Sequence, residues 1–178
     1  MEINIRKEVQ EDFKKVSELI RTAFESEEHS DHEEHFLVER LRNSDAFIPE
    51  LSMVAEADHQ IVGYILLTKI IIEDENQKNY TSLALAPVAV SPEFQGKGIG
   101  GKLIKEAHQK AKELGFGSVV LLGHENYYPK FGYKLTKEFG IRLPFEVPEA
   151  NCMVIELTEN ALQNVNGVVR YPKEFGIE

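Results

Sequence analysis

The stretch Val88-Ala-Val-Ser-Pro-Glu-Phe-Gln-Gly-Lys-Gly-Ile-Gly-Gly101 decides the fold and carries the chemistry. Val88, Ala89 and Val90 close a strand that ends in Ser91-Pro92. Beyond the glycines, Ile99, Leu103, Ala107, Ala111 and Leu114 recur at helical spacing until Gly115. Gly96, Gly98 and Gly100 lack Cβ atoms, so a ligand can approach the backbone closely. The first turn of a helix has unpaired N–H groups and the positive end of its dipole. A glycine turn feeding such a turn is a phosphate or diphosphate cradle, and Lys97 and Lys102 add positive charge beside it.

Two common phosphate loops fit poorly. A nucleoside triphosphate loop, G-x-x-x-x-G-K followed by Ser or Thr, is met from Gly96 to Lys102, but Leu103 replaces the hydroxyl that would hold Mg²⁺. A dinucleotide fingerprint, G-x-G-x-x-G, needs its third glycine one residue later than Gly100 and an acid ending the next strand. Leu121-Leu122-Gly123 ends that strand without one, and Glu125 lies just past it.

Working outward, the chain opens with a strand near Ile3–Ile5. A helix follows, with Phe13, Val16, Ile20, Ala23 and Phe24 on one face. A second helix spans Glu33–Arg42, and the acidic stretch 25–34 joins the two as a loop. Ser52–Ala57 and Gln60–Ile72, joined at Asp58-His59, predict a hairpin. Ser82–Val90 is a third strand and Ser118–Leu122 a fourth; a helical turn near Asn126–Phe131 precedes strands around Tyr133 and Met153–Leu157. The pattern predicts a single α+β domain over residues 1–178 with a mixed sheet. Pro87 lacks an N–H, so its strand cannot be paired throughout, and a splayed strand offers its remaining groups to a ligand.

Composition narrows the function classes. A net charge of -10 argues against a nucleic-acid surface, where lysines and arginines must meet phosphates. It suits solubility and also a cationic partner. Cys152 is the lone cysteine and sits in the apolar run Cys152-Met-Val-Ile155, which predicts a buried structural thiol and a reducing compartment. No apolar run approaches the length of a membrane span, and charged residues near the N-terminus exclude a secretory leader. The expected location is the cytoplasm, as a monomer or homodimer.

Gln95-Gly96-Lys97-Gly98-Ile99-Gly100 meets the pattern Q/R-x-x-G-x-G/A, and Asn126-Tyr-Tyr-Pro-Lys-Phe-Gly-Tyr133 supplies an aromatic segment followed by Gly-Tyr. In this order and spacing the two motifs resemble the GNAT superfamily of acyl-CoA-dependent N-acetyltransferases. Gly123-His-Glu125 and the tail Val169-Arg-Tyr-Pro172 with Phe175-Gly176 resemble its YhbS-type bacterial members. The resemblance implies a mostly antiparallel mixed sheet flanked by helices, with splayed central strands. It implies that Val88, Ala89 and Val90 face the pantetheine of acetyl-CoA, that Gln95, Gly96, Lys97, Gly98, Ile99, Gly100 and Gly101 hold its diphosphate, and that Asn126 contacts the coenzyme. Tyr128 matches the tyrosine of the family's Y-x-x-x-G-[FY] pattern, the usual acid for the leaving thiolate; its neighbour Tyr127 would replace it if the register moved by one. The implied reaction is direct attack by a small-molecule or peptide amine on the thioester. The alternative of another class is a non-catalytic acyl-CoA-binding or sensor module.

Other residues leave the chemistry open. A general base is not singled out among His124, Glu125, Glu56 and Glu73. His29, His32 and His35 recur at three-residue intervals and would share one side of a helix, but a solvated polar surface is the better reading and no metal is expected. The six acids between Glu25 and Glu34 suit attraction of a cationic amine as well as a plain charged loop.

Overall fold

Aliphatic and β-branched residues run almost unbroken from Ile61 to Ile72, and such a run needs cover on both faces. In the computed structural model, which describes residues 1–177, this run is the central strand β3 (Gln60–Glu73). It lies in a sheet with β1 (Asn4–Lys7), β2 (Ser52–Ala57), β4 (Asn79–Val90), β5 (Ser118–Leu122), β6 (Lys134–Leu135), β7 (Ile141–Arg142), β8 (Cys152–Glu156) and β9 (Gly167–Arg170). The order is β1-β2-β3-β4-β5-β8-β6, antiparallel except where β4 meets β5 and β7 meets β9. Helices α1 (Phe13–Phe24) and α2 (Glu34–Arg42) cover one face, and α3 (Ile99–Glu113) the other. The α+β class with a mixed, mostly antiparallel sheet is as expected.

Alternation along β3 assigns its residues to the two sides. Ile65 and Leu67 pack with Leu83, Leu103, Ala107 and Ala111 beneath α3. Tyr64 and Leu66 pack with Val16, Ile20, Val38 and Leu41 beneath α1 and α2. Further along the second face, Ile70 and Ile72 meet Ala84, Val120, Val154 and Val169, partly covered by Tyr171 and Phe175 of the C-terminal segment. Each fully buried aliphatic side chain contributes roughly 1.5–3 kcal/mol from its removal from water.

A buried polar chain fastens α2 to the sheet. Arg42 donates to Glu8 at 2.6 Å with both side chains nearly inaccessible, Ser52 Oγ donates to the same carboxylate at 2.8 Å, and Tyr64 Oη lies 2.7 Å from Ser52 Oγ. Such a pair, once made, is costly to break from one side, about 3–5 kcal/mol, because the remaining charge stays buried.

The hairpin forms as expected, with Asp58 and His59 both at positive φ, as a two-residue turn between right-twisted strands requires. Departures from the sequence expectation include β7 and two further elements with plain causes. The turn after β5 shortens to a 3₁₀ turn at Tyr128–Phe131, limited by Pro129 near its start and by Gly132 in the left-handed region at its end. Residues 167–170, read only as part of a tail, form β9, which pairs with Ile71–Glu73 of β3 beyond the end of β2. Gly167 makes this docking possible: its φ is +134°, and a Cβ there would overlap the Glu73 carbonyl.

Gly167→Ala is therefore expected to lower unfolding stability by at least ~3 kcal/mol in urea titration, combining strain with backbone overlap. Gly115→Ala, at φ +92° with open space around it, should lose only about 1–2 kcal/mol. Equal losses would show that the close approach at Glu73 contributes nothing.

Candidate active site

The site begins where the sheet opens. β4 and β5 pair in parallel only at Leu83–Val119 and Ala84–Val120. Along β3, Ile65 faces Val88 and Leu67 faces Leu85, so Leu66 alone stands opposite both Ala86 and Pro87. One extra residue on β4 makes a bulge, and a bulged strand bends away from its neighbour. From Leu85 to Val90, β4 stays with β3 while its other edge loses β5. The result is a wedge at the C-terminal ends of two parallel strands, with main-chain groups of Val88, Ala89 and Val90 along one wall. Val88 and Val90 pack toward the α3 side and Ala89 toward α1 and α2.

The glycine turn sits at the mouth of the wedge. Pro92–Phe94 make a 3₁₀ turn, and Gln95 Nε2 donates to the Val90 carbonyl at 3.1 Å, tying the turn's exit to the end of β4. Gly96 and Gly98 have φ of +78° and +81°, and a Cβ on either would meet no atom within 4 Å. Their bareness thus serves conformation and leaves empty space in front of the backbone. The helix's first internal bond runs from Lys102 N–H to the Gly98 carbonyl. The amides of Ile99, Gly100 and Gly101 are left without a helical acceptor at the positive end of α3. Lys97 and Lys102 are exposed beside them. Open glycines, free amides and two cations fit a diphosphate.

Gly100 and Gly101 have a second use that their sequence pattern did not reveal. A Cβ on Gly100 would lie 3.2 Å from Tyr127 Oη, and one on Gly101 would lie 3.3 Å from the Phe131 ring. The aromatic segment therefore closes onto the first turn of α3, and the two motifs form one surface. Tyr127 and Tyr128 meet edge to face at 5.0 Å, and Tyr128 meets Tyr133 the same way at 5.8 Å.

This arrangement separates the two adjacent tyrosines. The Tyr127 hydroxyl abuts the cradle, half-buried, with Lys130 Nζ 4.1 Å from its ring centroid. Tyr128 is buried against Gly123, where any Cβ would overlap its ring, at the β5 side of the wedge. Burial, and then the neighbouring Tyr127, push the Tyr128 phenol up to about 12. His108 was not singled out from sequence, although it borders the apolar stripe of α3. Its Nε2 lies 2.7 Å from Tyr133 Oη, and burial pushes the imidazole down to about 4, so it is neutral at pH 7.

The remaining expected residues divide. Asn126, His124 and Glu125 are exposed in the turn after β5, at the rim of the wedge. Glu56 is bound to Arg6 and Glu73 to Arg170, one near the C-terminal end of β2 and the other at the far end of β3. Neither reaches the site. Only His35 of the three regularly spaced histidines lies in a helix, because α2 starts at Glu34. On the α2 side of the wedge lies a cavity of about 360 Å³. Its floor is Ala84–Ala86 and Val120–Leu122, and its walls come from the acidic loop, α2, Phe145 and the C-terminal segment.

A family model described as the acetyltransferase (GNAT) domain matches residues 49–135, which span the hairpin, cradle and aromatic segment. The uncharacterized N-acetyltransferase YhbS of Escherichia coli strain K12 is 31% identical over 172 residues, covering 96% of this chain and 97% of that protein. A second protein of that strain, the uncharacterized N-acetyltransferase YjhQ, is 32% identical over 79% of this chain and 80% of its own. The crystal structure of E. coli YhbS in complex with CoA superposes with a TM-score of 0.86 at 30% identity, covering 98% of this chain and 92% of that one. A GNAT family acetyltransferase from Brucella melitensis, in complex with acetyl-CoA, gives 0.80 at 30% identity, covering 98% of both chains. With the glycine cradle, the opened sheet and the aromatic segment in the family's order, and with a relative matched over nearly its whole length, this chain belongs to the GNAT family of N-acetyltransferases.

Proposed function

We propose that the chain transfers an acetyl group from acetyl-CoA to a primary amine by direct attack within a ternary complex. The observation that carries the reading is the unpaired edge of β4, which opens between the cradle and Tyr128. The diphosphate sits on the amides of Ile99, Gly100 and Gly101, with Gly96 and Gly98 leaving it room, and Lys97 and Lys102 balance its charge. Gln95 acts by holding the turn to Val90. Pantetheine lies along Val88, Ala89 and Val90 and takes the main-chain bonds that β5 does not make. Asn126 meets the coenzyme at the rim. Support comes from the two relatives whose structures hold CoA and acetyl-CoA.

The chemistry follows from this placement. A neutral amine nitrogen attacks the thioester carbon, and negative charge develops on the carbonyl oxygen beside the free β4 amides. Collapse breaks the C–S bond and leaves a thiolate, to which Tyr128 gives its proton. The amine nitrogen loses a proton as the amide forms; that proton restores the phenol through solvent. A phenol at about 12 gives its proton to an aqueous thiolate, whose acid lies near ~8.5, only uphill. A sulfur leaving inside the wedge is desolvated as well, which raises its proton affinity toward that of the tyrosine. A coenzyme-binding module without transfer would keep the cradle but have no use for a buried phenol at the sulfur's exit.

Three measurements test this. Gly98→Asp and Gly98→Asn place side chains of equal size at the same left-handed position, so both carry similar strain. Asp should bind CoA at least ~10-fold more weakly than Asn, because its carboxylate opposes the diphosphate; equal affinities would move the diphosphate elsewhere. Tyr128→Phe should lower kcat at least ~100-fold with CoA affinity changed less than about threefold, whereas Tyr127→Phe should keep most of kcat. Unchanged kcat in Tyr128→Phe would remove it from the reaction. The raised phenol also has a pH consequence. Its neutral form is retained until pH passes about 12, so Tyr128 gives no descending limb in kcat between pH 7 and ~11. A fall near pH 9–10 that vanishes in Tyr128→Phe would contradict its burial.

A further inference from the structure

Acidic residues at a helix N-terminus are stabilising in themselves, so Asp31, Glu33 and Glu34 at the start of α2 do not by their presence imply a ligand. What gives them meaning is the wall they share. Of the six acids in the loop, these three line the 360 Å³ cavity, whereas Glu25, Glu27 and Glu28 do not. The C-terminal wall includes the aromatic set Phe145, Tyr171 and Phe175, with centroids 6.0 Å and 5.0 Å apart in sequence along the set. Arg40 is the one cationic lining residue among the described residues, and its Nε is drawn to the Glu174 carbonyl at 3.0 Å. Three carboxylates against one guanidinium leave the lining negative.

We infer that the acceptor is a cationic amine with an apolar or aromatic body and no carboxylate. Its positive charge is drawn by Asp31, Glu33 and Glu34, and its body lies on Phe145, Tyr171 and Phe175. Carboxylates facing aromatic rings favour an organic cation through both charge and ring quadrupole. An acid on the ligand would face three like charges against the one guanidinium of Arg40. The inference rests on the acetyl-transfer reading and fixes which amines that reaction accepts. The amine arrives as an ammonium and sheds one proton to solvent before attack. Its second proton leaves as the amide forms, matching the one that Tyr128 delivers to the sulfur, so each turnover yields the amide, free CoA thiol and one proton.

The test uses the full chain, acetyl-CoA and thiol release with four acceptors: phenethylamine, phenylalanine amide, phenylalanine and ethylamine. Phenethylamine and phenylalanine amide should exceed ethylamine at least ~10-fold in kcat/KM, and phenylalanine should fall ~100-fold below its own amide. The variant D31N/E33Q/E34Q keeps an oxygen acceptor for the Glu33 amide and for the Ser30 hydroxyl, so the start of α2 retains its bonds. It should shrink the amide-over-acid preference at least ~10-fold, through the KM of the amine and with the KM of acetyl-CoA unchanged. E27Q/E28Q should leave the preference intact. Should the triple variant not fold, Glu33→Gln alone should shrink the preference in the same direction. Phenylalanine acetylated as well as its amide, or a preference untouched by both neutralising variants, overturns the acceptor inference and leaves acetyl transfer standing. No thiol release with any of the four, in protein shown by titration to bind acetyl-CoA, overturns the transfer reading and this inference with it.

Discussion

A single unmatched residue governs this molecule. Where Leu66 of β3 faces both Ala86 and Pro87, the ladder slips by one and β4 bends off its parallel neighbour. Pairing between β4 and β5 stops after Ala84, although both strands continue. The missing bonds are not lost stability alone. They leave a row of polar main-chain groups in a wedge whose sides are otherwise hydrophobic, a condition that favours a ligand able to act as a substitute strand. The cradle, the aromatic segment and the cavity on the α2 side all lie around this opening.

The second constraint is the absence of side chains on the first turn of α3. Gly100 and Gly101 let Tyr127 and Phe131 come down onto the helix, and His108 lower on the same helix binds Tyr133. The aromatic segment is thereby held at both ends to the element that forms the cradle. Tyr128 lies between these anchorages, pressed against Gly123. Gly123 is itself held to Asn151 by main-chain and side-chain hydrogen bonds at 2.9 and 3.0 Å, so the phenol has a rigid backing.

What could be seen in the sequence is what short-range physics determines. The helical period of α1 and α3, the Asp58-His59 turn, β5 with its five residues, and the cradle glycines all depend on neighbours within a few positions. Pro87 announced an incomplete strand, and the bulge lies there. β9 was missed because four residues, Gly-Val-Val-Arg, have no period of their own; the strand exists only because β3 outruns β2 and exposes an edge for it. His108 gives no signal in the sequence, since its partner lies 25 residues away. The cavity was beyond reach for the same reason, being assembled from residues near 31–40, 84–86, 120–122, 145 and 171–177. The acidic stretch is plain in the sequence, but only the fold separates the three carboxylates that line the cavity from the three that do not.

The uneven edge of β3 also bears on how the chain is made. Ile70-Ile71-Ile72 belongs to a long apolar strand whose outer side, beyond β2, is paired at Ile71–Glu73 by β9. On a ribosome moving at about 5–20 residues per second, the segment that closes it emerges roughly 5 to 20 seconds after the strand itself. Throughout that interval the nascent protein presents a bare, isoleucine-rich margin, the kind of surface on which foreign strands nucleate. β9 thus acts as a seal against self-association, and a nascent chain stalled shortly before Gly167 would hold this margin of β3 unpaired.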